Sequence, residues 1–414
     1  MSVDVREISL HDAVKFIVDN RGKTVPTADN GIPLIATNCI KNNGLFPVFE
    51  KIRFVSEETY KTWFRSHPEP GDIIFVNKGT PGRVCLVPNP VNFCIAQDMV
   101  ALRVDESVIY PKYLFAALRS DYIQNVIENM HVGTLIPHFK KSDFERLMIP
   151  VPDEVTQKYI GNLYYDLSMA IELNNQINKT LEEMARAIFK SWFVDFEPFK
   201  DGEFEESELG LIPKGWKVGM LGDFVEVVDN RGKTPPLSDV KTEYPIIDVR
   251  ALSGESRVID YNNCTKYVEK EIYDSWFRNG HPKQLDILIS TVGSISEMKM
   301  FYGNKGCIAQ NVVAFRSNGI SPFYLYQYLQ YSKGDLLSYN IGSVQPSIKV
   351  THVIKYKIIV PDEKTMSSFD MLIESISDQI YRNANESQIL IAIRDTLLPK
   401  LMSGEIRVPV DEVI

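Results

Sequence analysis

The chain of 414 residues has few cysteines and no pattern that would pair them. Its five cysteines (Cys39, Cys85, Cys94, Cys264 and Cys307) are scattered, odd in number and nowhere spaced as Cys-x-x-Cys or set beside clustered histidines. Disulfide frameworks and structural zinc sites both depend on such spacing. The sequence therefore predicts buried, reduced thiols and no metal site.

Long apolar runs and an excess of basic residues are also missing. No apolar run approaches the roughly 18 residues of a membrane-spanning helix, and the opening MSVDVREISL lacks the basic region and apolar core of a signal peptide. The formal net charge is −9, which argues against a protein that coats nucleic acid non-specifically but allows a local basic surface. We expect a cytoplasmic protein without a membrane partner.

The motifs of three enzyme classes are incomplete. Gly22-Lys23-Thr24 resembles the end of a phosphate-binding loop, but the first glycine of that loop would fall at Ile17, and prolines follow instead of a helix. The Asn-Pro-Pro-aromatic site of a DNA methyltransferase is approached only by Asn89-Pro90-Val91-Asn92. The Pro-Asp pairs at 152–153 and 361–362 lack partners for a nuclease metal site and are expected near helix N-termini. The sequence predicts a non-catalytic protein without a cofactor.

What the sequence does contain is an internal repeat. Three segments recur: VDNRGKT at 18–24 and 228–234, YxxWFR at 60–65 and 273–278, and FCIAQDMVALR at 93–103 as GCIAQNVVAFR at 306–316. The near-constant offset indicates a duplicated domain with small loop insertions. We assign the apolar and aromatic members of the last two segments mainly to the core, and stacking on DNA is the alternative.

Each copy begins with strand patterns and ends with a helix pattern. The segments 71–87 and 285–301 read as strand, glycine-bearing loop and strand. A heptad seam of mainly apolar residues then follows. Its members are Leu163, Leu167, Asn174, Leu181 and Ile188 in the first copy and, less regularly spaced, Leu372, Ile376, Ile380, Asn383, Leu390 and Leu397 in the second. The seam fits two independent core helices or one packed pair in which Asn174 and Asn383 help to fix the register. Helices of about 35 to 40 residues would span roughly 50 to 60 Å, which suits a spacer.

Three segments, in this order and together with the repeat, resemble the specificity subunit of type I restriction-modification systems: residues 149–196, LGLIPKGWKVGMLGDF at 209–224, and LLPKLMSGEI at 397–406. The resemblance covers nearly the whole chain. It implies an α+β fold of two similar β-rich target-recognition domains separated by two long antiparallel helices, in a pseudo-twofold repeat. The expected parts are a first recognition domain at 1–150, a central helical spacer at 151–196, a linker and lead-in at 197–216, a second recognition domain at 217–360 and a C-terminal helical spacer at 361–414.

The resemblance also implies a function and partners. Each recognition domain would contact one half of a split target in double-stranded DNA, while the helices set the gap. Two modification (methyltransferase) subunits would dock on the helices, and motor-nuclease restriction subunits would join the full complex. The alternative is a coiled-coil scaffold that binds other proteins without sequence-specific DNA recognition.

Two domains that read different half-sites should share residues for shared tasks and differ where they read bases. The identical VDNRGKT segments are either a turn shaped by Asp19, Asn20 and Gly22 or a clamp on DNA phosphates. Candidates for contact with the DNA backbone are Arg21, Lys23, Arg231, Lys233, Lys140, Lys141 and Lys349. The divergent loops provide candidates for base readout: Asn38, Lys78, Arg83, His138, Arg250, Ser294 and Gln345. Each of these, taken singly, is at least as compatible with a solvated loop residue.

Overall fold

The computed structural model describes residues 6–22, 24–95, 97–130, 137–303 and 305–408, and the chain divides into two compact units. Unit 1 consists of Met1–Leu173 and Glu386–Ile414, and unit 2 of Asn174–Asn385. The boundaries between the units fall inside the two long helices. Each long helix therefore contributes one part to unit 1 and the other part to unit 2.

Unit 1 contains a four-stranded sheet, a three-stranded sheet and a two-stranded ribbon, with short helices on the chain between them. In chain order the strands and helices are β1 (Arg6–Ser9), β2 (Val14–Val18), β3 (Ile32–Ile35), β4 (Arg53–Val55), α1 (Glu57–Thr62), β5 (Ile73–Val76), β6 (Val84–Leu86), β7 (Cys94–Ile95), β8 (Met99–Val104), α2 (Pro111–Arg119), α3 (Asp121–Met130), β9 (Met148–Val151) and the start of α4 (Glu154–Phe193).

Unit 2 repeats most of this order after the rest of α4 and a short hairpin, but its described residues form no strands that correspond to β3, β4 and β7. Its elements are β10 (Phe204–Ser207), β11 (Gly210–Pro213), β12 (Lys217–Met220), β13 (Val225–Val228), α5 (Lys270–Trp276), β14 (Ile287–Ser290), β15 (Met298–Met300), β16 (Val312–Ser317), α6 (Pro322–Tyr331), α7 (Lys333–Ser338), α8 (Val350–Val353), β17 (Lys357–Val360) and the start of α9 (Glu363–Met402).

The same four-stranded antiparallel sheet occurs in both units, so the repeat in the sequence is a repeat of structure. Its strand order is β2-β8-β5-β6 in unit 1 and β13-β16-β14-β15 in unit 2. Ile73 of β5 lies opposite Leu102, and Ile287 of β14 lies opposite Phe315. Strands β5 and β14 are buried at every residue, which explains why IIFV and ILIS do not alternate with polar residues.

An aspartate begins each long helix. The backbone N of Thr156 donates to Asp153 Oδ1 at 2.9 Å, and that of Thr365 donates to Asp362 Oδ1 at 3.0 Å. These hydrogen bonds satisfy amides that the first helical turn leaves without partners, in agreement with the expectation that the Pro-Asp pairs lie at helix N-termini. Helices α4 and α9 each have 40 residues, or about 60 Å at 1.5 Å per residue.

The two helices run antiparallel within each unit. In unit 2, Asn383 donates to Asn178 Oδ1 at 2.9 Å, whereas Phe369, earlier on α9, packs against Phe189, later on α4. In unit 1, Arg394 donates to Ser168 at 3.4 Å, and further along α9 Leu398 and Leu401 join the core that contains Ile160 of α4. The packed helix pair, with antiparallel helices, is confirmed.

On α4 most of the buried positions lie one residue after the predicted seam positions, so the predicted seam is corrected by one residue. The buried positions there include Tyr164, Ser168, Ile171, Asn178, Glu182, Ala185 and Phe189, whereas Leu163, Leu167, Leu181 and Ile188 are only half-buried. Asn174 is buried, but the partner of Asn383 is Asn178, one turn further along. The prediction followed apolar residues, while this stripe includes Ser168, Asn178 and Glu182, whose polar groups find partners across the helix pair or in the sheet domain.

On α9 the predicted seam is correct in its middle and displaced at its start. Ile380 and Asn383 are buried, and Ile376, Leu390 and Leu397 are half-buried, but Leu372 is 45% exposed and Ile373 is fully buried in its place. An α-helix has 3.6 residues per turn, so a strict heptad drifts around it by about 20° per repeat.

The five cysteines are buried as free thiols, and burial raises the pKa of Cys94, Cys264 and Cys307 to about 12.

Candidate nucleic-acid interface

The repeated Asp-Asn-Arg-Gly segment forms the same turn in both units. The carboxylate of Asp19 accepts hydrogen bonds from Nε and Nη2 of Arg21 at 2.9 and 2.8 Å, and Asp229 accepts from Arg231 at 2.8 and 2.5 Å. The hydrogen bonds from Arg21 and Arg231 lower the pKa of the two carboxylates. Gly22 and Gly232 follow with φ angles of 116° and 114°, a backbone conformation that glycine adopts without strain.

The buried asparagine of the turn ties it to a second segment. Asn20 donates to the carbonyl of Ser66 at 2.9 Å and accepts from the backbone N of Arg65 at 2.9 Å. Asn230 donates to the carbonyl of Gly280 at 2.8 Å and accepts from the backbone N of Asn279 at 3.1 Å. These contacts give each polar residue of the repeated segment a structural role and directly support the turn interpretation.

The two arginines of the turn are not freely available to an anion. Their side chains are 16% and 26% exposed, and each forms an ion pair with the aspartate two residues earlier. Phosphate would therefore meet a pair with no net charge. Lys233 is exposed, whereas Lys23 lies outside the described residues. Contact of Arg21 and Arg231 with DNA stays a prediction.

The two divergent loops of each copy are joined by backbone hydrogen bonds. In unit 1 the amide of Gly79 donates to the carbonyl of Pro137 at 3.0 Å, and Lys78 pairs with His138 in an isolated β-bridge. In unit 2 the amide of Gly293 donates to the carbonyl of Pro346 at 2.9 Å. Loops that are far apart in the sequence therefore form one surface in each unit.

The repeated turn adjoins this pair of loops. In unit 2, Nη1 of Arg231 donates to Oγ1 of Thr291 at 3.3 Å, at the start of the loop 291–296. In unit 1, Lys141 is close enough to contribute, after Arg21, to the lowered pKa of Asp19. Each unit thus brings three segments together, which we call the three-segment surface: residues 19–22, 77–83 and 137–141 in unit 1, and residues 229–232, 291–296 and 344–349 in unit 2.

Most of the predicted contact residues lie on the three-segment surfaces, and six of them are exposed. Lys78, Lys140 and Lys141 are exposed in unit 1, and Arg83 and His138 are half-buried. In unit 2, Ser294, Gln345 and Lys349 are exposed. The unit 1 surface is richer in positive charge, whereas the loops of the unit 2 surface carry mainly neutral polar groups.

Two predicted base readers have contacts elsewhere. Asn38 donates to the carbonyl of Glu50 at 2.5 Å, and Arg250 donates to Asp248 at 3.2 Å and to Thr265 at 2.7 Å. Neither set of contacts involves the three segments. Both side chains are exposed, so their contact with DNA also stays a prediction.

Sequence reasoning overlooked one pair of polar residues at these surfaces. Gln97 and Gln310, in the repeated Cys-Ile-Ala-Gln segment, both have a φ angle of 55°. The signal is present in the sequence, because the same polar residue follows the apolar Cys-Ile-Ala in both copies. It was hidden by the assignment of the segment to the core.

The described part of the chain has neither a metal site nor a membrane-spanning helix. Among those residues, no group of three or more His, Cys, Asp or Glu side chains is arranged to hold a metal ion. The helices described are also too short or too polar to cross a membrane.

Known proteins match the chain along most of its length. The family described as "Type I restriction modification DNA specificity domain" matches residues 3–183 and again residues 213–394. The MjaIX specificity subunit of a type I restriction enzyme from Methanocaldococcus jannaschii is 24% identical over 397 residues, covering 91% of this chain and 87% of that protein. The HindI specificity subunit from Haemophilus influenzae is 25% identical over 409 residues, covering 81% and 86%.

A solved structure supports the fold. The S subunit of a type I restriction-modification system from M. genitalium superposes with a TM-score of 0.51 at 16% identity, covering 96% of both chains. The two family matches coincide with the two copies of the repeat and together cover well over half of the chain. The chain therefore belongs to the family of type I restriction-modification DNA specificity subunits and carries the family's domain twice.

Proposed function

We propose that each unit reads one half of a bipartite target in double-stranded DNA through its three-segment surface. The observation that carries the proposal is the construction of this surface. An identical turn supports it in both units, while the two loops that it adjoins differ in sequence. A shared frame with divergent loops is what two readers of different half-sites require.

The exposed lysines have the chemistry of contacts to the DNA backbone. Lys140, Lys141, Lys233 and Lys349 face solvent, and lysine binds phosphate without reading sequence. Lys78, Arg83 and His138 in unit 1, and Ser294 and Gln345 in unit 2, are the proposed base readers, since arginine and lysine suit guanine and glutamine suits adenine. Arg21 and Arg231 serve mainly to shape the turn.

The long helices have surfaces suited to partner proteins. Large apolar side chains that remain exposed on them are Leu173, Ile177 and Met184 of α4, and Met371, Leu372, Ile389 and Ile393 of α9. Leu173, Ile177 and Met184 are four and seven residues apart and therefore lie along one face of α4. A contiguous exposed apolar face is typical of an interaction surface. We propose that two modification subunits dock there, that motor-nuclease subunits join this complex, and that methylation and cleavage take place in those partners and not in this chain. Such a complex would work in the cytoplasm, where the DNA is.

The scaffold alternative has weaker support. Long helices alone are compatible with it, but membership of a DNA specificity family favours DNA recognition. Retention of a defined DNA sequence separates the two functions.

The decisive experiment is a selection from random duplex DNA with the full chain bound to its modification subunits. We expect two short motifs at a fixed spacing in the retained pool. A pool without a common sequence, retained by a complex shown to be folded and assembled, would refute the proposed function.

Single residues can then be assigned by their effect on the selected target. Arg83→Ala should relax one base position in one half-site and leave the other half-site unchanged. Lys140→Ala with Lys141→Ala should weaken binding to all sequences alike and reduce the salt dependence by about two phosphate contacts. Arg146→Ala is a matched control, because this exposed arginine pairs with Asp143 outside the three segments. Equal losses for Arg83→Ala at both half-sites would make Arg83 a phosphate contact instead.

A further inference from the structure

Gln97 and Gln310 occupy equivalent positions in the two units and share an unusual backbone. Each follows the Cys-Ile-Ala of the repeated segment, and each has a φ angle of 55°. This left-handed region is unfavourable for a side chain with a Cβ, and among such residues asparagine and aspartate enter it more readily than glutamine. A longer carboxamide at a strained position in both copies indicates that the side chain itself has a use.

The two glutamines stand where the segments of the surface meet. The carbonyl of Asp98, directly after Gln97, accepts hydrogen bonds from the amides of Asn77 and Lys78 at 2.8 and 3.2 Å. The carbonyl of Asn311, directly after Gln310, accepts from the amide of Thr291 at 2.7 Å. Each glutamine therefore precedes the residue that anchors the start of a divergent loop.

A structural role in holding the repeated turn does not account for the presence of glutamine in both units. In unit 2, Nε2 of Gln310 donates to Oγ1 of Thr234, just after the turn. Among the residues that the structure describes in unit 1, no hydrogen bond joins Gln97 to Thr24. The turn has the same Asp-Arg pair and nearly the same glycine φ angle in both units. It therefore forms without this contact.

Solvent access leaves the carboxamides available to a ligand. Gln310 is exposed and Gln97 is half-buried, and both lie beside loops that carry proposed DNA contacts. A carboxamide donates and accepts hydrogen bonds. It pairs with the N6 and N7 edge of adenine and also binds phosphate oxygens.

We propose that Gln97 and Gln310 are paired DNA contacts that bind the same chemical group in each half-site. This inference rests on the proposed function of the three-segment surface. Because the residue is the same in both copies, the group must be one that the two half-sites share, either a common base edge or a backbone phosphate.

The test uses the full chain bound to its modification subunits and the duplex obtained by selection with the unaltered protein. Gln97→Gly and Gln310→Gly, singly and together, relieve the left-handed strain. We expect melting temperatures equal to or above that of the unaltered protein and about tenfold weaker binding per substitution. A purely structural glutamine would not give a more stable protein that binds DNA less well.

A second pair of variants keeps the inference testable if the glycine variants do not fold. Gln97→Met and Gln310→Met keep the length and the strain of the side chain but remove its hydrogen bonds, and we expect them to lose affinity to a similar degree. Repeating the selection with the double methionine variant distinguishes the two possible groups. Loss of one base preference at the same place in both half-sites indicates a base edge, and an unchanged motif with weaker binding indicates phosphate.

The inference is overturned if folded methionine or glycine variants bind the selected duplex as tightly as the unaltered protein. That outcome differs from failure of the proposed function. If the proposed function is wrong, the unaltered protein selects no sequence in the first place.

Discussion

Leu45 of unit 1 and Arg257 of unit 2 occupy the same place in the repeated fold but are stabilised in opposite ways. The carbonyl of Leu45 accepts from the amide of Leu86, and that of Arg257 from the amide of Met300, both at 2.9 Å. Leu45 packs in an apolar core. Arg257, fully buried, donates from Nε and Nη2 to the carboxylate of Glu182 on α4 at 3.1 and 2.9 Å.

At a second pair of equivalent positions, the residue is again uncharged in unit 1 and charged in unit 2. Cys85 lies opposite Ile74 in unit 1, and Lys299 lies opposite Leu288 in unit 2. Burial lowers the pKa of Lys299 to about 8, while the charge of Glu182 acts in the other direction. The same sheet thus tolerates either an apolar or an ionic interior. A residue that differs between the copies is therefore not necessarily a reader of DNA.

The largest predicted effect comes from removing the shared counter-charge. Glu182→Leu leaves Arg257 buried without its ion-pair partner and removes one of the negative charges that act on Lys299. Loss of one partner of a buried ion pair costs about 3 to 5 kcal/mol of unfolding free energy. Tryptophan fluorescence in a urea titration would report it, because Trp192, Trp216 and Trp276 lie in unit 2 and only Trp63 lies in unit 1.

The control is a variant in which the buried ionic residues of unit 2 are replaced by apolar residues, as in unit 1. A triple variant with Glu182→Leu, Arg257→Leu and Lys299→Met should regain most of the lost stability, since apolar replacement of a whole buried ionic group is often neutral. A single variant as stable as the unaltered protein would show that the ion pair contributes little. A triple variant no better than the single one would show that the geometry of unit 2 requires the ionic group.

An intermediate effect tests what the units have in common. Asn20→Ala and Asn230→Ala remove the buried amides that tie the turn to residues 65–66 and 279–280. Each should cost about 1 to 3 kcal/mol, because backbone groups lose their partners. Thermal unfolding of the two variants should show similar losses. A neutral result in one unit would contradict the equivalence of the two turns.

The smallest effect is a shared dependence on pH. His67 stacks on Tyr60 and His281 on Tyr273, with ring centroids 3.9 and 3.7 Å apart, and burial lowers the pKa of both imidazoles. The unfolded chain therefore binds these protons more readily. The two neutral histidines contribute fully to the stability of the folded protein above the pKa of histidine in the unfolded chain, which is about 6.5. This contribution is lost as the pH falls below that value.

Phenylalanine at both positions keeps the stacking and removes the titration. The variant with His67→Phe and His281→Phe should show a flatter loss of melting temperature between about pH 6.5 and 5 than the unaltered protein. An equal slope for both proteins would assign the pH dependence to other groups.

Much of the fold could be predicted because its signals are local. The duplicated segments, the Pro-Asp helix starts and the long apolar stripes all lie within short windows of sequence, and backbone preferences act over the same range. The turn at Asp19 and Asp229 belongs with them, since its hydrogen bonds join residues two positions apart. Comparison of the two copies indicates the divergent loops 77–83 and 291–296, whose role in reading DNA stays a prediction.

The sequence by itself determined two similar domains, two long helices and the family to which the chain belongs. Only the tertiary structure decided which helix face is buried, that Asn178 meets Asn383, and that Glu182 neutralises an arginine 75 residues away. Polar residues in a buried stripe look like surface residues until their partners are known. Those partners come from distant segments, and burial of a charge depends on the contacts that such segments make on folding.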